Sequence, residues 1–590
     1  MHVKSLRAVV STPEYHSSQS SSRFSLPGLT LPLNWVPEWS DHPHVRLFRN
    51  ALGADQDGEA SLNLTTLREF TMLQIMDTIT DKPNWYEKVF DETISDKWKQ
   101  EMLQGEGHDV SQAMADWITE ELCYKAQVFS ETGAISIYNG DVVKSDIAVP
   151  SELRESLRNK VGVLENIPEV YKDYCPGSDD KVLNLVHPSL FPLMYGCSRV
   201  LKDTLISLDD CIKNIGKGEI VPIPPEKDTM FVRGKTSMNS NGDRPPFSNN
   251  FQWLPCEVEF SEDGSSKIVS YINNLHPRKH QDLYSIIEKL IDKAIPLWNM
   301  TLKPLKNRHL KFDRIPFASP KYDPDPDKIP DEDAPPREDG EIEAEYLEAI
   351  WDWKESQRRV IQPDAAKFRP PSLPKHMKPM YFKPGTREIK EEIKVDLKRD
   401  YGERGLQIIV KLANIELAPE KPEYEGGSWH VEGQLTLTIL ETKTDGSKKF
   451  FGCQNWSSGV QEVGSVHCCE GRLITFPNIL QHQVQPFKLA DPTKAGHRKI
   501  VAFFLVDPNI RIISTANVPP QQRSWWGEEI AHIAALNKLS AELKENIVNN
   551  VDDFPIGMDE AKEIRLELME ERKSYAIQQE SMFKEPKFAL

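Results

Sequence analysis

Leu406-Gln-Ile-Ile-Val-Lys-Leu-Ala-Asn-Ile415 is the most strand-like stretch of this chain. Aliphatic and β-branched side chains dominate it, and no Gly or Pro interrupts it. Further strand patterns follow at 434–441, at Arg472-Leu-Ile-Thr-Phe476 and at Lys499-Ile-Val-Ala-Phe-Phe-Leu-Val506, with Asp445-Gly446 as a turn. Short strands joined by turns, without helices between them, predict an antiparallel barrel or jelly roll. Upstream, residues 251–260 and 267–274 read as a hairpin around Glu262-Asp-Gly-Ser265. A helix follows it, with Ile286, Ile287, Leu290, Ile291 and Ile295 on one stripe. Residues 64–127 carry helical spacing broken at Pro83, and 150–208 read as a second helical block broken at Pro176-Gly177. Helices return after Trp526, including an acid-to-base patterned one over 559–572.

Length and charge bound the rest. The chain has 590 residues, enough for about three to five domain-sized units. At 39% hydrophobic residues it is not wholly disordered. Its formal charge of −18 argues against a globally basic nucleic-acid binder. Half of that charge sits in residues 320–350, where twelve acids stand against three bases among six prolines. Such a segment predicts a mobile loop, passing into a solvated helix over 341–359. A second Pro-rich stretch covers 363–385.

The resulting expectation is an α+β protein with a C-terminal double-stranded β-helix (jelly-roll) core, flanked by an N-terminal helical region and C-terminal helices. Its segments are a largely disordered or extended 1–60, a mainly helical 61–245, and 246–318 as hairpin plus helix joining the core. An acidic Pro-rich linker with a solvated helix over 319–400, the core over 401–526 and helices over 527–590 complete it. The apolar run 500–506 is far too short to span a bilayer, and residues 1–25 hold no signal-type apolar core. Eight cysteines without a CxxC pair read as reduced thiols. These features point to an intracellular protein, cytoplasmic or nuclear, with no membrane partner and no nucleic-acid signature. The helical regions are the natural place for a protein partner.

Chemistry concentrates in the β-rich part, at His430-Val-Glu432 and His482. Two histidines and one carboxylate hold Fe(II) while leaving three positions open. In an extended chain residues i and i+2 point the same way, so His430 and Glu432 can share one ion, and His482 must arrive from another strand. The pattern is common: 15 His and 90 acids give about two chance His-x-acid matches. The other one, His280-Gln-Asp282, leads into a helix, so Asp282 reads as a helix-start acid. Gly426-Gly427-Ser428-Trp429 lets the backbone turn tightly before His430. Arg498 shares a strand face with Ile500, Ala502 and Phe504, and a guanidinium in such company needs an anion. That anion is either a carboxylate ligand held bidentately or an internal Asp or Glu. Asn273 and Asn274 are candidates for a substrate cleft or for a turn. His497 points away from Arg498's face, and Trp525-Trp526 reads as a helix packed on the barrel.

The order His-x-acid, a distal His after a Gly471-Arg-Leu-Ile-Thr-Phe476 strand, then an Arg on the last core strand resembles 2-oxoglutarate/Fe(II)-dependent dioxygenases of the prolyl-hydroxylase-like branch. Nearly the whole chain resembles a fungal family of uncharacterised proteins, domain of unknown function 4246. Val186-His-Pro-Ser-Leu190, Tyr271-Ile-Asn-Asn-Leu-His-Pro277, Phe476-Pro-Asn-Ile-Leu-Gln-His-Gln483 and Gly496-His-Arg-Lys-Ile500 carry that likeness. The dioxygenase resemblance implies that His430, Glu432 and His482 ligate Fe(II) and that Arg498 pairs with the distal carboxylate of 2-oxoglutarate. It implies a hydroxylase that converts this cosubstrate to succinate and CO2 while oxidising a substrate C–H bond, with the substrate unspecified.

Two features depart from that pattern. Glu432 stands where Asp is commoner, which moves the carboxylate by about a bond length. Between 433 and 463, Ser447-Lys-Lys449 and Gly452-Cys-Gln-Asn-Trp-Ser-Ser-Gly459 replace expected aromatic and β-branched wall strands. The competing readings are a non-catalytic barrel scaffold or pseudoenzyme, and a cupin-like metalloenzyme that does not use 2-oxoglutarate.

Overall fold

The computed structural model describes residues 23–35, 65–105, 109–138, 141–229, 232–233, 236–237, 247–306, 312–317, 321–324, 328–337, 342–357, 359–371, 394–430, 451–452, 461–478, 480–531, 533, 536, 538–551 and 554–584. The expected strand at 434–441, the turn at Asp445-Gly446 and Glu432 lie outside them, as does most of the 1–60 segment.

The helical reading of 64–127 resolves into Leu67–Thr80, Trp85–Lys88, Glu92–Gln104 and Gln112–Thr132. Each longer helix starts on a side-chain cap, from Thr66, Asp91 and Ser111, which satisfies a backbone N–H that the first turn leaves open. Their shared core buries Met72, Leu73, Met76, Trp85, Trp117 and Ile118. Inside it, Glu121 accepts two bonds from Arg314, at 2.8 and 2.9 Å, and one from the Trp117 indole at 2.8 Å. This fork ties residues 312–317 to the helices and holds the Glu121 carboxyl down to about 2 against its desolvation.

The second helical block is shorter than expected. It contains one helix, Ser151–Glu165, and then gives way to strands including Asp173–Tyr174 and Val182–Val186. Val182-Leu-Asn-Leu-Val186 buries residues through pairing with Leu406–Leu417, an outcome that local helical spacing does not register. Residues 61–245 are therefore helical only in their first part. The chain has the α+β character expected of it.

Leu406–Leu417 is the spine of the main sheet. One edge pairs along ten positions with Gly496–Leu505. The other pairs first with Cys256–Phe260 and then with Val182–Val186. Cys256–Phe260 continues into Ser266–Ile268 around Gly264, as the hairpin reading expected. One face of the spine, Leu406, Ile408, Val410 and Leu412, packs on Ile287, Ile291 and Ile295 of the long helix Gln281–Lys306. Asp282 opens that helix and pairs with Lys160. The helix Glu343–Gln357 leaves Leu347 and Trp351 exposed, matching the solvated helix expected there.

A smaller sheet joins Ile135–Ile137, Val142–Ser145 and Leu473–Thr475. Here Lys144, 1% exposed, bridges Asp77 and Asp81, and Arg472 pairs with Asp81 and Asp146. The strand leading towards His482 is thereby fixed to the N-terminal helices. Trp525 packs against Tyr271 and His276, anchoring the helix Arg523–Ala531. The sheets among the described residues are open and antiparallel, and no closed barrel is formed by them. No helix among those residues is long and apolar enough to cross a membrane, and their seven cysteines carry free thiols.

Candidate functional site

The site begins with a narrow ladder. Glu423–Tyr424 pairs antiparallel with Phe487–Lys488, and the pairing reaches His430 and His482, which exchange both backbone hydrogen bonds at 3.0 and 2.9 Å. Gly427 N–H donates to the Val484 carbonyl between these ends. Gly426 allows this approach: its φ is +91°, and a Cβ there would stand 2.9 Å from the Val484 oxygen. The Gln483 amide, oriented to donate to the Gly427 carbonyl at 3.1 Å, accepts from the Trp429 indole at 3.2 Å. The glycine pair thus does what the sequence asked of it and seats His430 opposite a strand distant in sequence.

The two imidazoles lie side by side, with ring centroids 4.4 Å apart and planes at 50°. His430 Nδ1 donates to the Ser428 carbonyl at 2.7 Å, and His482 Nδ1 to the Leu480 carbonyl at 3.4 Å. A carbonyl can only accept, so each bond places a proton on Nδ1 and the basic lone pair on Nε2 of the neutral ring. Phe476 packs edge-on against His482 at 4.8 Å.

Arg498 enters from Gly496–Leu505, in register with Ile415. Its guanidinium lies over the Phe487 ring at 5.7 Å, and Phe487 in turn packs on Tyr424 at 5.2 Å. Burial raises the Tyr424 phenol, against the opposing pull of Arg498. Among the described residues no carboxylate pairs with Arg498, so the internal salt bridge weighed above is not made by them. His430, His482 and Arg498 all line one cleft of 2660 Å³. That is larger than a small-molecule pocket of about 300–1,000 Å³, so its lining, and not its size, characterises it.

Asn273 and Asn274 do not line this cleft; they hold the chain together elsewhere. The Asn273 amide donates to the Leu190 and Phe191 carbonyls, and the Asn274 amide to the His187 and Leu190 carbonyls. Asn274 has a φ of +68° and accepts from Gln522. Buried carbonyls need donors, and these amides supply them. The turn role weighed for them is the one the structure shows. His497 is exposed on the opposite face from Arg498, and His467 gives its carbonyl to Arg472. Among the described residues no group of three His, Cys, Asp or Glu side chains is gathered around one point; Glu432, the third member of the proposed set, lies outside them.

Three residues of the cleft were not singled out from sequence. Lys411 lies in the spine strand, on the face that also carries Arg498. Trp253 packs on Phe504 at 5.8 Å, and Arg572 stacks over Trp253 at 4.1 Å. The signal for Lys411 was available, since a lysine in the middle of a ten-residue apolar strand is anomalous. Trp253 and Arg572 are 319 positions apart in sequence, and nothing local joins them.

The family of proteins of unknown function DUF4246 matches residues 112–444 and 436–529, and its N-terminal domain matches 26–101. The chain belongs to the DUF4246 family. The two longer matches meet at 436–444, inside the 433–463 stretch that departs from the dioxygenase pattern. The site residues His430, Glu432, His482 and Arg498 therefore all fall within DUF4246 sequence, on both sides of that junction. No curated protein and no solved structure matches the chain.

Proposed function

We propose that this DUF4246 protein is an Fe(II)/2-oxoglutarate-dependent oxygenase of hydroxylase type, built on a C-terminal double-stranded β-helix. The observation that carries the reading is the backbone pairing of His430 with His482 beside a cleft that also receives Arg498. Two imidazoles bound through Nε2 at right angles to one ion have centroids about 4.5 Å apart, given metal–nitrogen distances of about 2.1 Å. The observed 4.4 Å fits that demand. The Nδ1 bonds to carbonyls favour the tautomer that such ligation requires.

His430 and His482 would hold the ion, with Glu432 as third ligand. Bound there, Fe(II) would supply the dioxygen chemistry that side chains cannot. The chain's own contribution is orientation. Gly426 and the ladder fix the imidazoles, Phe476 limits the tilt of His482, and Arg498, steadied by Phe487 and Tyr424, offers a guanidinium fork to the distal carboxylate of 2-oxoglutarate. The long antiparallel pair 406–417 with 496–505 and the antiparallel ladder 423–430 with 482–488 are the strand pairings that support the β-helix reading.

The test is anaerobic metal uptake by the full chain. One Fe(II) or Mn(II) per chain is expected, and His430→Ala should abolish it. A folded chain that takes up no metal would end the metalloenzyme reading. Metal uptake without 2-oxoglutarate binding would favour the cupin-like alternative.

A further inference from the structure

The floor of the cleft carries two cations, and the oxygenase reading uses one. Lys411 pairs with Ala502 in the same register that pairs Ile415 with Arg498. Paired residues of an antiparallel ladder share a face, and residues four apart on a strand do so too. Lys411 and Arg498 therefore stand on one face, about 13 Å apart along the strands at about 3.3 Å per residue. Between them lie Ala413, Ile500 and Ala502, whose side chains carry no polar group. Both cations are half-buried and line the cleft.

Four of the other cleft cations have acid partners. Lys181 pairs with Glu425, Lys499 with Glu165, Arg472 with Asp146, and Arg158 with Glu470. No acid among the described residues pairs with Lys411 or with Arg498. Among the described residues the lining holds nine Lys or Arg and five Asp or Glu, in a chain whose net charge is −18. A concave, locally cationic site on an acidic protein concentrates anions. Half-buried cations without acids are stabilised by an anion from outside.

We infer that the cleft takes an anionic substrate, carrying a carboxylate or phosphate group, and that Lys411 holds this group while Arg498 holds 2-oxoglutarate. The inference rests on the oxygenase reading for Arg498 but not for Lys411. Two cations on one floor, separated by a short apolar stretch, can hold two different anions at once.

The experiment is a titration of the Mn(II)-loaded full chain, saturated anaerobically with 2-oxoglutarate, by inorganic phosphate in one arm and glutarate in the other. One of the two should bind alongside 2-oxoglutarate, and the arm that binds assigns phosphate or carboxylate. Lys411→Met should weaken that second anion by about tenfold or more, the range of one charge-assisted hydrogen bond, and change 2-oxoglutarate affinity by less than about twofold. Lys411→Arg should restore binding, and Arg498→Met should show the converse pattern. A melting curve confirms that each variant is folded; should Lys411→Met melt early, Lys411→Gln replaces it. Second-anion binding unchanged in Lys411→Met overturns the inference. So does loss of 2-oxoglutarate from Lys411→Met with retention in Arg498→Met, or the absence of any second anion on the wild type. Should the chain refuse 2-oxoglutarate altogether, the same two anions are titrated without it. A Lys411-dependent site then stands while the oxygenase reading falls.

Discussion

Replacing Arg314 by Met gives the sharpest test of how the N-terminal layer is held. The guanidinium donates two bonds to Glu121, which is 0% exposed, and one to Glu69 at 3.0 Å. Methionine fills much of the volume but leaves the Glu121 carboxylate with Lys125 at 3.1 Å and the Trp117 indole. Removing one partner of a buried ion pair costs about 3–5 kcal/mol, and the two remaining partners place this case near about 3. That is a large part of the roughly 5–15 kcal/mol that stabilises an ordinary domain. The pH dependence carries a sign. Glu121 is held at about 2 in the folded chain and returns to roughly 4.3 on unfolding. Its contribution is therefore full above the unfolded value and is lost as pH falls towards the folded one. Without Arg314 the folded value moves up and the contribution shrinks, so the two proteins should converge in stability as pH falls from about 5 towards about 2. Hydrogen exchange of helices Leu67–Thr80 and Gln112–Thr132 is the assay, because a chain of this size need not unfold in one step. A gap below about 1 kcal/mol at neutral pH, or one that stays constant into acid, would refute the account of the fork as the organiser of this layer.

Other perturbations probe the site and its supports. Arg472→Met removes the pairs with Asp81 and Asp146, frees the strand before His482, and should lower Mn(II) affinity in equilibrium dialysis by about tenfold, the scale of a lost support to a metal ligand. Gly426→Ala must place a Cβ near the Val484 carbonyl at a φ of +91°; a cost of about 1–2 kcal/mol in thermal stability, with weakened metal uptake, is expected. Asn273→Ala strips donors from two buried carbonyls. Because Leu190 keeps the Asn274 donor and Phe191 the Gln521 donor, the cost should be about 1–2 kcal/mol in urea unfolding, with Mn(II) affinity unchanged, and an altered metal affinity would contradict the placement of Asn273 away from the site. A fragment beginning at residue 401 lacks Cys256–Phe260 and Val182–Val186, so one edge of the spine is bare. It should aggregate in size-exclusion chromatography where the full chain does not.

Legibility followed interaction range. The helical character of 64–127, the hairpin around Gly264, the long helix and the spine were readable because each declares itself within a few residues, through helical spacing, a turn or a continuous apolar run. Val182–Val186 was misread because its strand character comes from pairing with Leu412 to Ile415, more than two hundred positions away. A shared ion would require His482 to reach His430 from another strand, and the ladder shows how the two come together: through main-chain bonds between His430 and His482, which leave no side-chain signature. For Asn273 and Asn274 the sequence left cleft and turn both open, because an amide beside a turn looks the same whether it faces a substrate or a buried carbonyl; the amides bond carbonyls away from the histidine cleft. Lys411 was passed over because the strand reading absorbed it as one polar residue in an apolar run.

The spine and its long partner also explain why fold and site form together. In this antiparallel pair, Ile408, Val410 and Leu412 share a face with Leu505, Phe503 and Val501, and that face meets the long helix. The opposite face carries Lys411 and Arg498. A slip of one residue in either strand would exchange its faces, sending its aliphatic residues out of the core. For Lys411 the exchange would also place a charge among the core side chains around Val410 and Leu412, at a high desolvation cost. The apolar pattern of Val501, Phe503 and Leu505 therefore directs Arg498 to the cleft without any residue of the site taking part. The same core side chains that stabilise the sheet thus fix the spacing of the two cations, so ligand spacing is set by packing before any ligand binds.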